Sequence, residues 1–333
     1  MNKYAIVVKD LVKKYGDLVA VAGINFNVKY GEIFGFLGPN GAGKTTTIHI
    51  LATLLKPTSG KALVAGYDVI RDPKMVRKNI GIVFQDPSLD NNLTAYENMY
   101  IHGRIYGLHG EELRTRIEEM LEFVELYEYR NKLVKTFSGG MRRRLEIARA
   151  LLHLPKILFL DEPTLGLDPQ TRVRIWDYIR ELRKEKNITI FLTTHYMDEA
   201  EELCDRIAII DHGKIIAEGT PDQLKSIVGN DVIYLKISGK DMNEICSKLE
   251  GSFIKKCKPL RKDMVALNVD NAPQALPLIF DKARANGLKI LEVSYRKPTL
   301  NDVFIYLTGR ELRDSTHDSM EFAKMIIKRR LMR

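Results

Sequence analysis

The sequence predicts an α/β protein with a mostly parallel sheet, followed by a smaller α+β domain. Three observations predict it. Short continuous apolar runs at 33–37, 157–160 and 188–193 alternate with helical patterns, as parallel strands covered on both faces do. The first run leads into a glycine-rich loop, GPNGAGKT at 38–45, and then a helix. Beyond Thr220 and Pro221 the rhythm becomes strand–helix–strand–strand–helix–strand, the ferredoxin-like split unit.

Residues 5–8 and 24–28 read as strands set apart by glycine or charged turns. After the run 33–37 and its loop, 46–55 places apolar residues at helical spacing. KPTSG at 56–60 is a turn, and 80–84 is a strand leading to Gln85. From 90 to 135 no strand signal appears. Segments 93–106 and 111–127 are helical with charged outer faces, so a helical insert interrupts the α/β pattern. It ends at FSGG and passes to a helix over 142–151. The strand 157–160 is followed by DEP and a helix over 170–184. Strand 188–193 precedes His195, and a helix over 198–204 precedes strands 206–211 and 215–218. In the second part 232–237, 253–256, 264–269 and 289–295 read as strands, and 242–249, 273–285 and 301–307 as helices. The expected domains are 1–225 with the insert at about 90–150, 230–309, and a basic tail at 310–333.

A chain of 333 residues suits two domains, and its 45% hydrophobic content supplies a sizeable core. The opening MNKYAIVVKDLVKKYG has no apolar core of a secretory signal. No run is uniformly apolar over the roughly 18–20 residues a bilayer needs, so the chain is not expected to span a membrane. Cys204, Cys246 and Cys257 form no CxxC pair and no metal-ligand spacing, and read as reduced, buried thiols. A net charge of +9 suggests an anionic partner: nucleotide, nucleic acid or anionic lipid.

The loop at 38–45 fits G-x-x-x-x-G-K-[ST] through Gly38, Gly43, Lys44 and Thr45, with Pro39, Asn40, Gly41 and Ala42 between. Glycines let the backbone curl around phosphate oxygens, and the following helix offers its positive N-terminus to the same anion. Lys44 suits the terminal phosphates of ATP, and the Thr45 hydroxyl suits Mg2+. Asp161, at the end of the run ILFL, suits a second Mg2+ contact. Glu162 beside it can orient and deprotonate a water that attacks the γ-phosphate. His195 and Gln85 also follow strands. Taken singly, both read more readily as ordinary packed or solvated residues.

The order of these signals carries more than any one of them. Phosphate loop, Gln85 after a strand, helical insert, SGG, Asp161 and Glu162 after a strand, and His195 after a strand together resemble the ATP-binding cassette (ABC) ATPases from residue 1 to about 220. FSGGMRRRLEIARAL, TLGLDP and KPTLNDVFIYLTGREL resemble more narrowly the ATPase subunits of daunorubicin-resistance-type exporters. The resemblance implies a mostly parallel sheet joined by an antiparallel β subdomain. It implies Tyr15 stacked on adenine, a loop through Thr46 around ATP, and Gln85 sensing Mg2+ and water. It implies Glu162 as the catalytic carboxylate and His195 as the switch histidine. Ser138, Gly139, Gly140 and Met141 would form the signature turn. With Asp168, that turn would meet ATP bound to the other subunit of a homodimer or pseudo-dimer. The usual signature reads LSGGQ, and Met141 lacks the hydrogen bonds of glutamine.

The resemblance further implies a separate transmembrane permease subunit, ATP-driven export, and a place at the cytoplasmic face of the cell membrane. Pro87, Leu89, Leu93, Tyr96 and Met99 are candidates for the docking socket. A soluble cassette acting on ribosomes or nucleic acid is the alternative. The chain shows neither the internal repeat nor the long heptad insertion of those members, so no nucleic-acid partner is expected. In the tail, Phe322, Met325, Ile326 and Met332 would share one side of a helix. With Lys324, Lys328, Arg329, Arg330 and Arg333 they make an anionic membrane surface a further candidate contact.

Overall fold

The structure is a computed structural model that describes residues 3–309 apart from 230, 239–241, 250 and 262. The chain divides between Glu218 and Gly219 into two compact units. The expected tail at 310–333, and with it the membrane-contact expectation, lies outside the described residues.

The first unit opens with two long antiparallel strands, β1 (Tyr4–Tyr15) and β2 (Leu18–Lys29). There follow β3 (Ile33–Leu37), α1 (Lys44–Leu51), β4 (Ser59–Val64), β5 (Tyr67–Asp68), α2 (Pro73–Asn79) and β6 (Ile80–Val83). The insert holds α3 (Ala95–Ile105) and α4 (Gly110–Phe123) and leads to α5 (Gly139–Leu151). The unit closes with β7 (Ile157–Asp161), α6 (Pro169–Lys186), β8 (Thr189–Thr194), α7 (Met197–Leu203), β9 (Arg206–Asp211) and β10 (Lys214–Gly219).

Six strands form one sheet in the order β10-β9-β3-β8-β7-β6, with β9, β3, β8, β7 and β6 paired in parallel. Every residue of β3, β7 and β8 is buried, which is why their apolar residues run on without alternation, with the polar residues Asp161, Thr189, Thr193 and Thr194 at the strand ends. A second, antiparallel sheet has the order β2-β1-β4-β5. Phe26 of β2 meets Phe34, Phe36 and Phe191 at ring separations of 5.5–5.8 Å, so aromatic rings weld the two sheets.

The second unit contains α8 (Pro221–Ser226), β11 (Asp231–Ser238), α9 (Met242–Leu249), β12 (Lys256–Arg261), β13 (Met264–Val269), α10 (Ala272–Ala285), β14 (Lys289–Arg296) and α11 (Leu300–Thr308). Its four strands are antiparallel in the order β12-β13-β11-β14, so the first and third strands of the unit lie at the centre. That is the split βαβ arrangement.

Three expectations need correction. The segment 56–60 is not wholly a turn: β4 begins at Ser59, with Ala62 and Val64 buried and the alternate residues outward. The strand expected at 253–256 instead runs Lys256–Arg261. Pro259 disguises it, and is tolerated because β12 is an edge strand whose outer N–H groups need no partner. The cysteines are not all reduced. Cys246 of α9 and Cys257 of β12, with Cα atoms 5.5 Å apart, form a disulfide. Only Cys204 is a buried free thiol among the described residues.

Candidate functional site

The strand register builds the site. Leu37 lies opposite Thr194, Asp161 opposite Thr193, and Leu160 opposite Val83. Gly38, His195, Glu162 and Gln85 therefore leave the sheet along one carboxyl edge, where open α/β sheets take their ligands.

The phosphate loop needs its glycines. Gly43 has φ +103°, and a Cβ there would lie 2.4 Å from the Ala20 carbonyl oxygen. A Cβ on Gly38 would lie 2.3 Å from that of Ile210. The loop turns tightly, with the Ala42 N–H donating to the Pro39 carbonyl at 3.2 Å. Asn40 and Gly41 form its exposed crest. Gly43 then caps α1, which supplies no side chain to its first N–H groups. Those unpaired donors and the helix dipole suit an anion.

Lys44 is 4% exposed. Its Nζ donates to the carbonyls of Gly38 at 2.8 Å and Pro39 at 3.1 Å, and pairs with Glu162 Oε1 at 3.3 Å. Burial holds its pKa below the ordinary lysine value despite the charges of Glu162 and Asp161. The Thr45 hydroxyl donates to Asp161 Oδ1 at 3.3 Å, and the Thr193 hydroxyl donates to the same oxygen. Burial raises the Asp161 carboxyl, and these two hydrogen bonds oppose the rise. A hydroxyl and a carboxylate oxygen facing each other are the hard donors Mg2+ prefers, with phosphate oxygens and water completing its shell. Tyr15 stands near Thr46, the residue after this loop, and is 39% exposed.

Glu162 sits at φ +48°, a left-handed conformation unusual for a residue with a side chain. Its N–H donates to both the carbonyl and the hydroxyl of Thr193 at 3.1 Å. Its Oε2 lies 3.0 Å from His195 Nδ1. Burial alone would raise its pKa; the His195 hydrogen bond and the Lys44 charge outweigh that and hold the carboxyl below its ordinary range. Gln85 is exposed at the end of β6.

Ser138 caps α5, its Oγ accepting the Met141 N–H at 3.2 Å. A Cβ on Gly140 would meet Thr171 Cγ2 at 2.4 Å, so this glycine lets α5 approach α6 closely. Asp168 caps α6 and accepts the N–H and hydroxyl of Thr171 at 3.0 and 2.6 Å. Both of its oxygens thus have partners within the chain.

Three further side chains belong to this region. Glu199 of α7 is fully buried; its Oε1 accepts the Thr164 hydroxyl at 2.7 Å and Trp176 Nε1 at 3.0 Å, while Oε2 has no hydrogen bond. Burial raises its pKa. Arg143 and Glu146, on the inner face of α5, form a buried ion pair at 3.0 Å. In the sequence Arg143 looks like part of an exposed basic run. The signal that it turns inward is its spacing from Gly140 and Ile147 at three and four residues.

Comparison with known proteins follows this geometry. A family model described as ABC transporter matches residues 21–165. A second model, the C-terminal domain of DrrA1-3-like ATP-binding proteins, matches 219–308. The chain is 41% identical over 324 residues to the daunorubicin/doxorubicin resistance ATP-binding protein DrrA of Streptomyces peucetius, covering 96% of this chain and 98% of that one. It is 40% identical over 313 residues to the Nod factor export ATP-binding protein I of Rhizobium sp. (strain N33), covering 94% and 99%. Among solved structures, the dimeric cassette MJ0796 in a post-hydrolysis state bound to ADP and Pi superposes with a TM-score of 0.59 at 32% identity, over 65% of this chain and 98% of that one.

Proposed function

The chain belongs to the ATP-binding proteins of the ABC transporter family, of the daunorubicin-resistance type, and on that premise we propose that it powers export through a separate membrane permease. It is an ABC-type ATPase. The observation that carries the reading is the convergence of Lys44, Glu162 and His195 within 3.3 Å at one sheet edge. The loop from Gly38 to Thr46, with Tyr15 against the adenine, takes the nucleotide. Thr45 and Asp161, joined by Gln85, hold Mg2+, which when bound supplies charge neutralisation to the phosphates. Engaging the terminal phosphates draws Lys44 away from Glu162 and leaves that carboxylate with His195. Glu162 then accepts a proton from the water as its oxygen bonds to the γ-phosphorus, the bond from that phosphorus to the β–γ bridging oxygen breaks to give ADP and phosphate, and His195 holds the carboxylate in place.

The second glycine turn has a different task in this proposal. Ser138, Gly139 and Gly140 at the start of α5, with Met141 and Asp168 beside them, meet the nucleotide held by a second copy or a paralogue. Two chains stacked this way enclose two ATP molecules. One relative is a daunorubicin/doxorubicin resistance protein and another a Nod factor export protein, so in this proposal the membrane permease selects the cargo. Among the described residues no helix is long and apolar enough to cross a membrane, so the proposed place is peripheral, at the cytoplasmic face. The test is isolation of the tagged chain from detergent-solubilised membranes of its native cell, with identification of co-purifying proteins. A polytopic membrane protein in stoichiometric amount is the expected result. Stoichiometric recovery with ribosomes or nucleic acid, and no membrane protein, would overturn it.

A further inference from the structure

Arg143 makes an unusual set of contacts. It is 8% exposed and extends from α5 beneath the turn that carries Glu162. Its Nε donates to the Pro163 carbonyl at 2.7 Å. One terminal nitrogen donates to the Asp161 carbonyl at 3.2 Å and the Glu162 carbonyl at 2.8 Å. The other donates to the Phe84 carbonyl at 2.6 Å and Glu146 Oε2 at 3.0 Å. An arginine has five N–H donors, and here each has an acceptor. Glu146 Oε1 in turn accepts the Ser88 N–H at 2.8 Å.

Carbonyls of three successive residues do not converge on one point in a strand or a helix, where they alternate or run parallel. They converge here because Glu162 adopts the left-handed conformation between Asp161 and Pro163. Such a conformation persists only where its surroundings over-determine it. Thr193 fixes the Glu162 N–H on one side, and Arg143 fixes the three carbonyls on the other. The same guanidinium holds Phe84, the residue before Gln85. Arg143 is thus bonded to the backbone of two segments that end in proposed site residues, and it stands on the helix that begins with Gly139 and Gly140.

We infer that Arg143 is a positioning residue for ATP hydrolysis: it sets the backbone that aims Glu162 and ties that turn to the 84–88 loop and to α5. The inference rests on Glu162 being the base, as proposed above. No other residue type reproduces the contact. Lysine offers three donors on one nitrogen and cannot fork across five acceptors. Glutamine offers two. A displacement of about 1 Å in a reacting group costs on the order of a hundredfold in rate. The hydrogen bonds and ion pair of Arg143 go to residues outside Gly38 to Thr45, so nucleotide affinity is a separate readout.

The experiment measures kcat, KM and MgATP affinity for four purified full-length chains: wild type, Arg143→Lys, Glu162→Gln and the double variant. Arg143→Lys is expected to lower kcat by about ten- to a hundredfold, with MgATP affinity within about twofold of wild type. In the Glu162→Gln background the same change is expected to leave the residual rate within about twofold, because the group it positions is gone. An equal loss in both backgrounds would show that Arg143 acts without Glu162 and would overturn the inference. So would a wild-type kcat in folded Arg143→Lys. Failure of the base assignment appears separately, as near wild-type turnover by Glu162→Gln alone. If Arg143→Lys does not fold, Glu146→Ala, which removes one of the five acceptors, takes its place in the same cycle. A several-fold kcat loss that vanishes with Glu162→Gln supports the linkage, and wild-type kcat overturns it.

Discussion

Lys44→Ala removes the cation at the centre of the proposed nucleotide site, and its expected effect on binding differs from its expected effect on stability. The Lys44 ammonium makes two carbonyl hydrogen bonds, at 2.8 and 3.1 Å, and one ion pair at 3.3 Å. Breaking a buried pair usually leaves a costly orphan. Here Glu162 keeps His195 at 3.0 Å, and removing Lys44 also relieves the burial that already works against its charge. The apo protein should therefore lose little stability, within about 1–2 kcal/mol. Binding is different, because phosphate oxygens have no replacement cation in the loop. A charge-assisted hydrogen bond contributes about 1.5–3 kcal/mol, so the Kd for MgATP should rise by about ten- to a hundredfold. Isothermal titration at fixed salt measures this, with a thermal melt as the folding control. A folded Lys44→Ala chain that binds MgATP with wild-type affinity would refute the placement of the terminal phosphates at Lys44.

Other expectations follow from the same geometry. Ser138→Arg should spare ATP binding by the single chain but abolish ATP-dependent dimerisation in light scattering, and mixing it with Lys44→Ala should leave one composite site; ATP-driven dimers of Ser138→Arg alone would contradict the shared-site reading. Glu199→Ala leaves the Thr164 hydroxyl and Trp176 Nε1 without a partner and should cost about 1–3 kcal/mol in urea unfolding, whereas Glu199→Gln should cost under about 1 kcal/mol; equal losses would show that the hydrogen bonds are not what the carboxyl supplies. The Glu162 carboxyl lies below its ordinary value of 4.5 in the fold, so its ionised form adds stability at neutral pH that is lost as acidification carries it below that value. In metal-free buffer, the stability of wild type relative to Glu162→Gln should then fall as the pH drops below 4.5, and a rise would mean the carboxyl is not held ionised.

The placement of the phosphate loop, Asp161, Glu162 and His195 at the ends of strands was legible, because a buried run precedes each of them in the sequence. The strands Ile33–Leu37 and Arg206–Asp211 were legible to the residue, since the buried apolar runs 33–37 and 207–210 between turn signals leave little choice. The segments that escaped are those whose stabilisation is not local. β4 alternates over only a few residues and gains its strand identity from β1 beside it. α2 has a single buried residue, Val76. β12 carries lysines, a proline and a cysteine, and only the edge position explains them. Cys246 and Cys257 lie eleven residues apart, a spacing that means nothing until α9 turns back onto the sheet. Arg143 and Glu199 show the same limit inside the site. Composition and charge place such residues at the surface, and only the converging carbonyls or the buried hydroxyl and indole show why they lie within.

The account turns on Glu162 as the base that sits between Lys44 and His195. Its most direct test is steady-state ATP hydrolysis by purified Glu162→Gln, with MgATP binding measured on the same sample. Glutamine keeps the size and a hydrogen-bonding oxygen but cannot accept the proton. The account predicts retained MgATP affinity, turnover lowered by about 10²–10⁴-fold, and an accumulated ATP-bound dimer. Near wild-type turnover by a folded, ATP-binding variant would contradict it.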